Sequence, residues 1–153
     1  AYRNSTKAWS YFALEMLKKF NCQIVLIPDG FNPDKIPGLS IIPEEYIKNQ
    51  SIYIDKKAAV DIRSRISIYQ YADLSIGVNN GPCCLLQLSK KPYLLFISPN
   101  FKDYYTSPIY MSLRFGILPN QNFNFSHNYQ ELVWRKDNLK DMLKIANQMI
   151  RKI

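Results

Sequence analysis

The run Asn79-Asn80-Gly81-Pro82-Cys83-Cys84 is the stretch of this sequence best suited to chemistry. It follows an apolar segment, Leu74–Val78, and precedes a short helical segment and a second apolar run, Tyr93–Ile97. Glycine at 81 opens backbone angles that a tight turn uses, and Pro82 suits a first helical position, whose N–H would have no partner anyway. A helix starting at Pro82 turns the N–H groups of Cys83 and Cys84, with a partial positive charge, toward the space above the strand. Such a corner binds anions, most often phosphate. An ordinary strand-to-helix turn is the plainer alternative. Lys7, with Arg3, Ser5 and Thr6, can add charge-assisted contacts to the same phosphates; a solvated terminus is the plainer reading there. Asp29 and Gly30 follow another strand end and are candidates for a nucleoside pocket or simple turn residues.

Other chemistry has less support. His127 is the only histidine, and no Asp-x-Asp pair is present, so metal-independent anion binding is expected. A nucleophilic pair of Cys84 and His127 competes with the more ordinary packing of a Cys-Cys-Leu-Leu helix start. Arg114, Tyr104, Tyr105 and Tyr110 can border a base or sugar, or equally cover the core.

The elements that must position these residues are legible as alternating strands and helices. Ala8, Trp9, Phe12, Ala13, Met16, Leu17 and Phe20 recur in steps of three and four, which predicts a helix over 7–20 capped by Ser5 or Thr6. Cys22–Ile27 is apolar throughout and predicts a buried strand ended by Pro28, Asp29 and Gly30. Pro33, Pro37 and Pro43 make 31–50 mostly loop, with a turn or two of helix after Pro43. A short strand over 51–54 and a helix over 56–71 follow, and then the strand, turn, helix and strand described above. Residues 99–129, rich in Pro, Asn and aromatics, predict a functional loop with some local helix. A strand over 131–134 leads to a closing helix that Asn138 can cap. This order predicts one α/β domain, a Rossmann-like parallel sheet with helices on both faces.

Bulk properties agree with one globular domain. The chain has 153 residues, 47% hydrophobic and 21% charged. No apolar run approaches the roughly 18 residues of a membrane span, and no signal-peptide pattern opens the chain. Three cysteines, two adjacent, suit a reducing compartment. The net charge of +8, from 20 basic and 12 acidic residues, favours an anionic partner, or reflects Lys-rich usage on a solvated surface. The basic residues are scattered, so a nucleic-acid arm is not favoured.

The run Tyr71–Ile97 resembles the donor-binding, C-terminal half of GT-B glycosyltransferases, most closely the heptosyltransferase-like branch. The residues that carry the likeness are Ala72-Asp73, Leu74–Ile76, Gly77, Asn79-Asn80, Gly81-Pro82 and Lys91-Pro92 before Tyr93–Phe96. Lys7-Ala8-Trp9 before the first helix is similar to that family's phosphate loop. Gln130–Asn138 is similar to the tail of some bacterial proteins with this fold. Asn79 stands where the family has an acid, and Cys84 where it has a histidine, which leaves nucleotide and sugar open. The resemblance implies a cytoplasmic domain, free or at the inner face of the membrane. Its substrate would be a nucleotide-diphosphate sugar, bound with no further cofactor, for transfer to a cell-envelope glycan or lipid. It also implies that the first, central strand and the acceptor domain bearing the catalytic base are missing. The chain is therefore expected to be an inactive fragment of a longer protein, and its sheet to close up or to borrow a strand from another copy. The alternatives are a sugar-nucleotide epimerase-like domain and a non-catalytic nucleotide- or polyanion-binding module.

Overall fold

A computed structural model of the chain describes residues 6–28, 34, 36–97 and 107–153. The strands are β1 (Ile24–Leu26), β2 (Ile52–Ile54), β3 (Ser75–Val78), β4 (Tyr93–Phe96) and β5 (Gln130–Val133). The helices are α1 (Ala8–Phe20), α2 (Glu44–Lys48), α3 (Lys57–Val60), α4 (Ile62–Tyr71), α5 (Cys84–Gln87), α6 (Pro108–Phe115) and α7 (Leu139–Ile150). All pairings among the described strands are parallel, as near-continuous apolar runs require. The α/β, Rossmann-like expectation holds.

Strand β4 is the centre of the packing. Tyr93, Leu94 and Leu95 are wholly buried, and Phe96 and Ile97 nearly so. Alternate residues leave on opposite faces. Tyr93, Leu95 and Ile97 join a cluster with Tyr69 of α4, Leu86 of α5, Met111 of α6 and Trp134. Leu94 and Phe96 join another with Phe12 and Met16 of α1 and Met142, Ile145, Ala146 and Met149 of α7. A third cluster ties Leu14 of α1 to Ile52 of β2 and Ile42, with Tyr46 and Ile47 of α2 packed on it. Helices α1, α2 and α7 therefore cover one face, and α4, α5 and α6 the other.

The strands form two sheets, β1-β2 and β3-β4-β5. Among the described residues no backbone hydrogen bond joins β1 to β3, so of the two expected arrangements the closed-up sheet is not formed there. Two local departures have clear causes. The helix expected over 56–71 breaks at Asp61, whose carboxylate accepts from the N–H groups of Arg63 and Ser64 and so starts α4 afresh. The helix expected at Pro82 is a 3-10 turn, Gly81–Cys83, followed by the four residues of α5. At α1 the Thr6 hydroxyl accepts from the Ala8 N–H at 3.3 Å, and at α7 Asn138 Oδ1 accepts from Asp141 N–H at 3.0 Å.

Arg65 is buried without a carboxylate beside it among the described residues. Its Nε donates to the Ala58 carbonyl at 2.8 Å, and its terminal nitrogens to Ala59 O and Tyr69 Oη at 3.4 Å. The guanidinium thereby closes the carboxyl end of α3, where free carbonyls and the helix dipole favour a cation. Arg65→Met keeps the stem but leaves those carbonyls unpaired, at a cost of about 2 kcal/mol. A urea-denaturation midpoint unchanged by this substitution would contradict the role.

Candidate functional site

The candidate site is built around the carboxyl end of β4. The Phe96 carbonyl accepts from the Asn79 N–H at 2.9 Å, which fixes the β3 turn beside it. The Phe96 ring meets Trp9, in the first turn of α1, edge to face at 6.1 Å. Lys7 immediately precedes α1 and is exposed. The start of α1, two residues after Lys7, and the Asn79 end of the turn, far apart in sequence, thus both contact Phe96 at the carboxyl end of β4. That is the edge where ligands of open parallel sheets bind.

The turn itself differs from its sequence reading. The Cys83 N–H is bonded to the Asn80 carbonyl at 3.0 Å and to Asn80 Oδ1 at 3.3 Å. The Cys84 N–H donates to the Gly81 carbonyl. Neither amide is free to grip an anion, because the 3-10 winding and the Asn80 cap consume both. Asn79 is buried, and its Oδ1 accepts from Gln87 Nε2 at 2.8 Å, so its side chain braces the turn. Gly81 is exposed and does not adopt a positive φ, so the turn does not need glycine's angles. A Cβ built at 81 meets nothing within 4 Å. The space over Gly81 is open, and Pro82 beside it is exposed.

The two adjacent cysteines differ sharply. The Cys83 thiol is buried and donates to the Val78 carbonyl at 3.3 Å. Burial pushes its pKa up to about 11, so it stays a neutral, inert thiol at ordinary pH. Cys84 is exposed, its Sγ 4.0 Å from the Asn80 carbonyl oxygen. His127 precedes β5 at the sheet's amino end, where its ring stacks on Tyr129 at 5.8 Å. Cys84 follows β3 at the carboxyl end, so the two do not form a nucleophilic pair.

Asp29, Gly30, Arg3, Ser5, Tyr104 and Tyr105 lie outside the described residues. Arg114 is exposed on the last turn of α6, and Tyr110 meets Phe115 edge to face at 6.2 Å. A groove of about 320 Å³ runs along α6, lined by Pro108, Ile109, Ser112, Leu113, Leu118 and Pro119. It is apolar and holds none of the candidate residues.

Three contributions escaped sequence reading. Gln87, eight residues on at the end of α5, braces Asn79. Arg65 closes α3. The Trp9 indole donates to Asp137 Oδ2 at 2.6 Å, which ties the start of α1 to the segment after β5. A Trp N–H near a packed face needs some acceptor, but its spacing of 128 residues from Asp137 gives no sequence signal.

The arrangement defines an α/β protein with a Rossmann-like parallel core. No family model, curated protein or solved structure matches the chain. Among the described residues no group of three His, Cys, Asp or Glu side chains is placed to hold a metal ion, and no helix is long and apolar enough to cross a membrane.

Two tests follow from the buried groups beside the turn. In the native protein a thiol reagent at pH 8 modifies Cys84 and leaves Cys83 intact, as peptide mapping reads; equal labelling would contradict the turn's geometry. Burial also pushes the Tyr69 pKa up to about 12. Both groups have folded values above their ordinary ones, near 9.0 for Cys83 and 10.0 for Tyr69, so the folded state holds its protons longer. Their stabilising contribution is complete below about pH 9 and is lost as pH rises toward 12. Unfolding midpoints should decline over that window, and Cys83→Ala should flatten its lower half.

Proposed function

We propose that the chain is the donor-binding domain of a glycosyltransferase, holding the diphosphate of a nucleotide sugar over Gly81. The observation that carries this reading is that Trp9, two residues after Lys7, and Asn79, at the start of the turn, both contact Phe96 at the carboxyl edge of a parallel sheet. A cation and an open glycine at that edge suit a diphosphate. Since neither backbone angle nor packing requires glycine at 81, room for a close-approaching ligand is a physical reason for it to be there. With the amides of Cys83 and Cys84 engaged, the contacts left for the diphosphate are the Lys7 ammonium and the main chain at Asn80 and Gly81.

In this reading catalysis is electrostatic. Lys7 stabilises the negative charge that builds on the diphosphate as the glycosidic bond breaks. A base that takes the proton from the acceptor hydroxyl comes from an acceptor-binding domain, so residues 1–153 alone bind without turning over. The acceptor class is a cell-envelope glycan or lipid, and the reaction belongs at the cytoplasmic face of the membrane.

The engaged amides and the net charge of +8 favour a second reading, a non-catalytic module that binds polyanions diffusely. Calorimetric titration separates the two. The donor-binding reading expects saturable binding of UDP, GDP or ADP that Gly81→Val abolishes and Lys7→Ala weakens about threefold to tenfold. Binding only to oligonucleotides, with a steep salt dependence, supports the second reading and overturns the first.

A further inference from the structure

The turn beneath the open space at Gly81 begins at the peptide that joins Val78 to Asn79. The N–H of that peptide donates to the Phe96 carbonyl at 2.9 Å, and its carbonyl accepts from the Cys83 thiol at 3.3 Å. One rigid planar unit is thus held at both ends, by β4 on one side and by the 3-10 turn on the other. The two holds are unequal. An amide N–H is a strong donor, whereas a thiol is a weak one. The second hold therefore depends on what fixes the sulfur.

Tyr69 of α4 is buried beside Cys83 in the same cluster. Burial is the largest cause of the raised pKa of each. Their smaller mutual effect lowers Cys83 and raises Tyr69, which is the sign of a hydroxyl donating to sulfur. The Tyr69 oxygen in turn accepts from Arg65 Nη1 at 3.4 Å, and the guanidinium is anchored on Ala58 O at 2.8 Å. Arg65 and Tyr69 stand one helical turn apart on α4, so one face of that helix carries both. Every donor in this series points the same way: Arg65 N–H to Tyr69 O, Tyr69 O–H to Cys83 S, Cys83 S–H to Val78 O. Bonds in such a buried series polarise and strengthen one another. The hydroxyl itself calls for a role. Phenylalanine would fill the cluster equally well, and a buried O–H costs stability unless it is bonded.

We infer that Tyr69 and Arg65 are positioning residues of the anion turn: the phenol, held by the guanidinium, keeps the Cys83 thiol on the Val78 carbonyl and so sets the main chain at Asn80 and Gly81 before a ligand arrives. Both side chains are buried and act through Cys83. A turn set in advance loses less freedom on binding, which raises affinity without a further contact. The inference rests on the diphosphate reading of the site for its ligand.

Amide hydrogen exchange and calorimetry on residues 1–153 test it. Ser75 and Asn79 both donate to β4, to Pro92 O and Phe96 O, so Ser75 is the control for a general loss of stability. Tyr69→Phe should speed exchange at Asn79 about threefold to tenfold relative to Ser75, and weaken magnesium-free pyrophosphate by a similar factor. Cys83→Ala should do the same, and Cys83→Ser, which keeps a donor, should retain much of both. Adding Tyr69→Phe to Cys83→Ala should change little more, because the two act in series. Equal acceleration at Ser75 and Asn79, or additive effects of the two substitutions, would overturn the inference and leave Tyr69 a packing residue. Pyrophosphate affinity unmoved by Tyr69→Phe would overturn it as well, with the diphosphate reading intact. A native chain that binds no pyrophosphate would instead overturn the diphosphate reading, and the positioning role with it.

Discussion

The constraint from which the rest follows is that β4 has no exposed side. Tyr93 through Ile97 can all be buried only if helices cover both faces of the sheet and β3 and β5 satisfy both edges of its backbone. Removing one large aliphatic side chain here, such as Leu94, would cost about 2–5 kcal/mol, a large share of a small domain's stability. By contrast, the exposed ion pairs of the helices, such as Lys48 with Glu44, contribute little. Among the described residues, β4 also anchors the turn at Asn79 and the start of α1. The Phe96 carbonyl sets Asn79, and the Phe96 ring sets the start of α1.

This arrangement separates two roles that look alike in sequence. Asn79, Asn80 and Cys83 are polar or reactive residues at the sheet edge, yet their side chains are engaged in holding the turn. Lys7, Gly81, Pro82 and Cys84 are the candidate positions left open to solvent. A ligand at this edge would meet a cation, a bare stretch of main chain and a braced turn, and little else. Such a site grips a compact anion and leaves recognition of the attached groups to the chain around it.

The sequence disclosed the large periodic features because burial writes them directly. The stripe from Ala8 to Phe20 and the run from Tyr93 to Ile97 are core faces, and both elements fall within a residue or two of their expected bounds. The Asn138 cap was legible because a cap is a local contact three residues long. Features decided by competition between local bonds were not. Asp61 can sit inside a helix or start a new one, and only its side-chain bonds to Arg63 and Ser64 choose. At Gly81-Pro82 the pattern predicts a helix with free amides; the Asn80 side chain and 3-10 winding take those amides instead. Contacts such as Trp9 with Asp137 leave no trace in spacing, because they depend on where two distant elements meet.

The direct test of the anion site is a titration of the isotope-labelled chain with magnesium-free pyrophosphate, followed by amide nuclear magnetic resonance. The account requires saturating shifts at Asn80, Gly81 and the residues beside Lys7, with the amides of Cys83 and Cys84 keeping their protection from exchange. Shifts spread over the scattered surface lysines, with Asn80 and Gly81 unmoved, would contradict it.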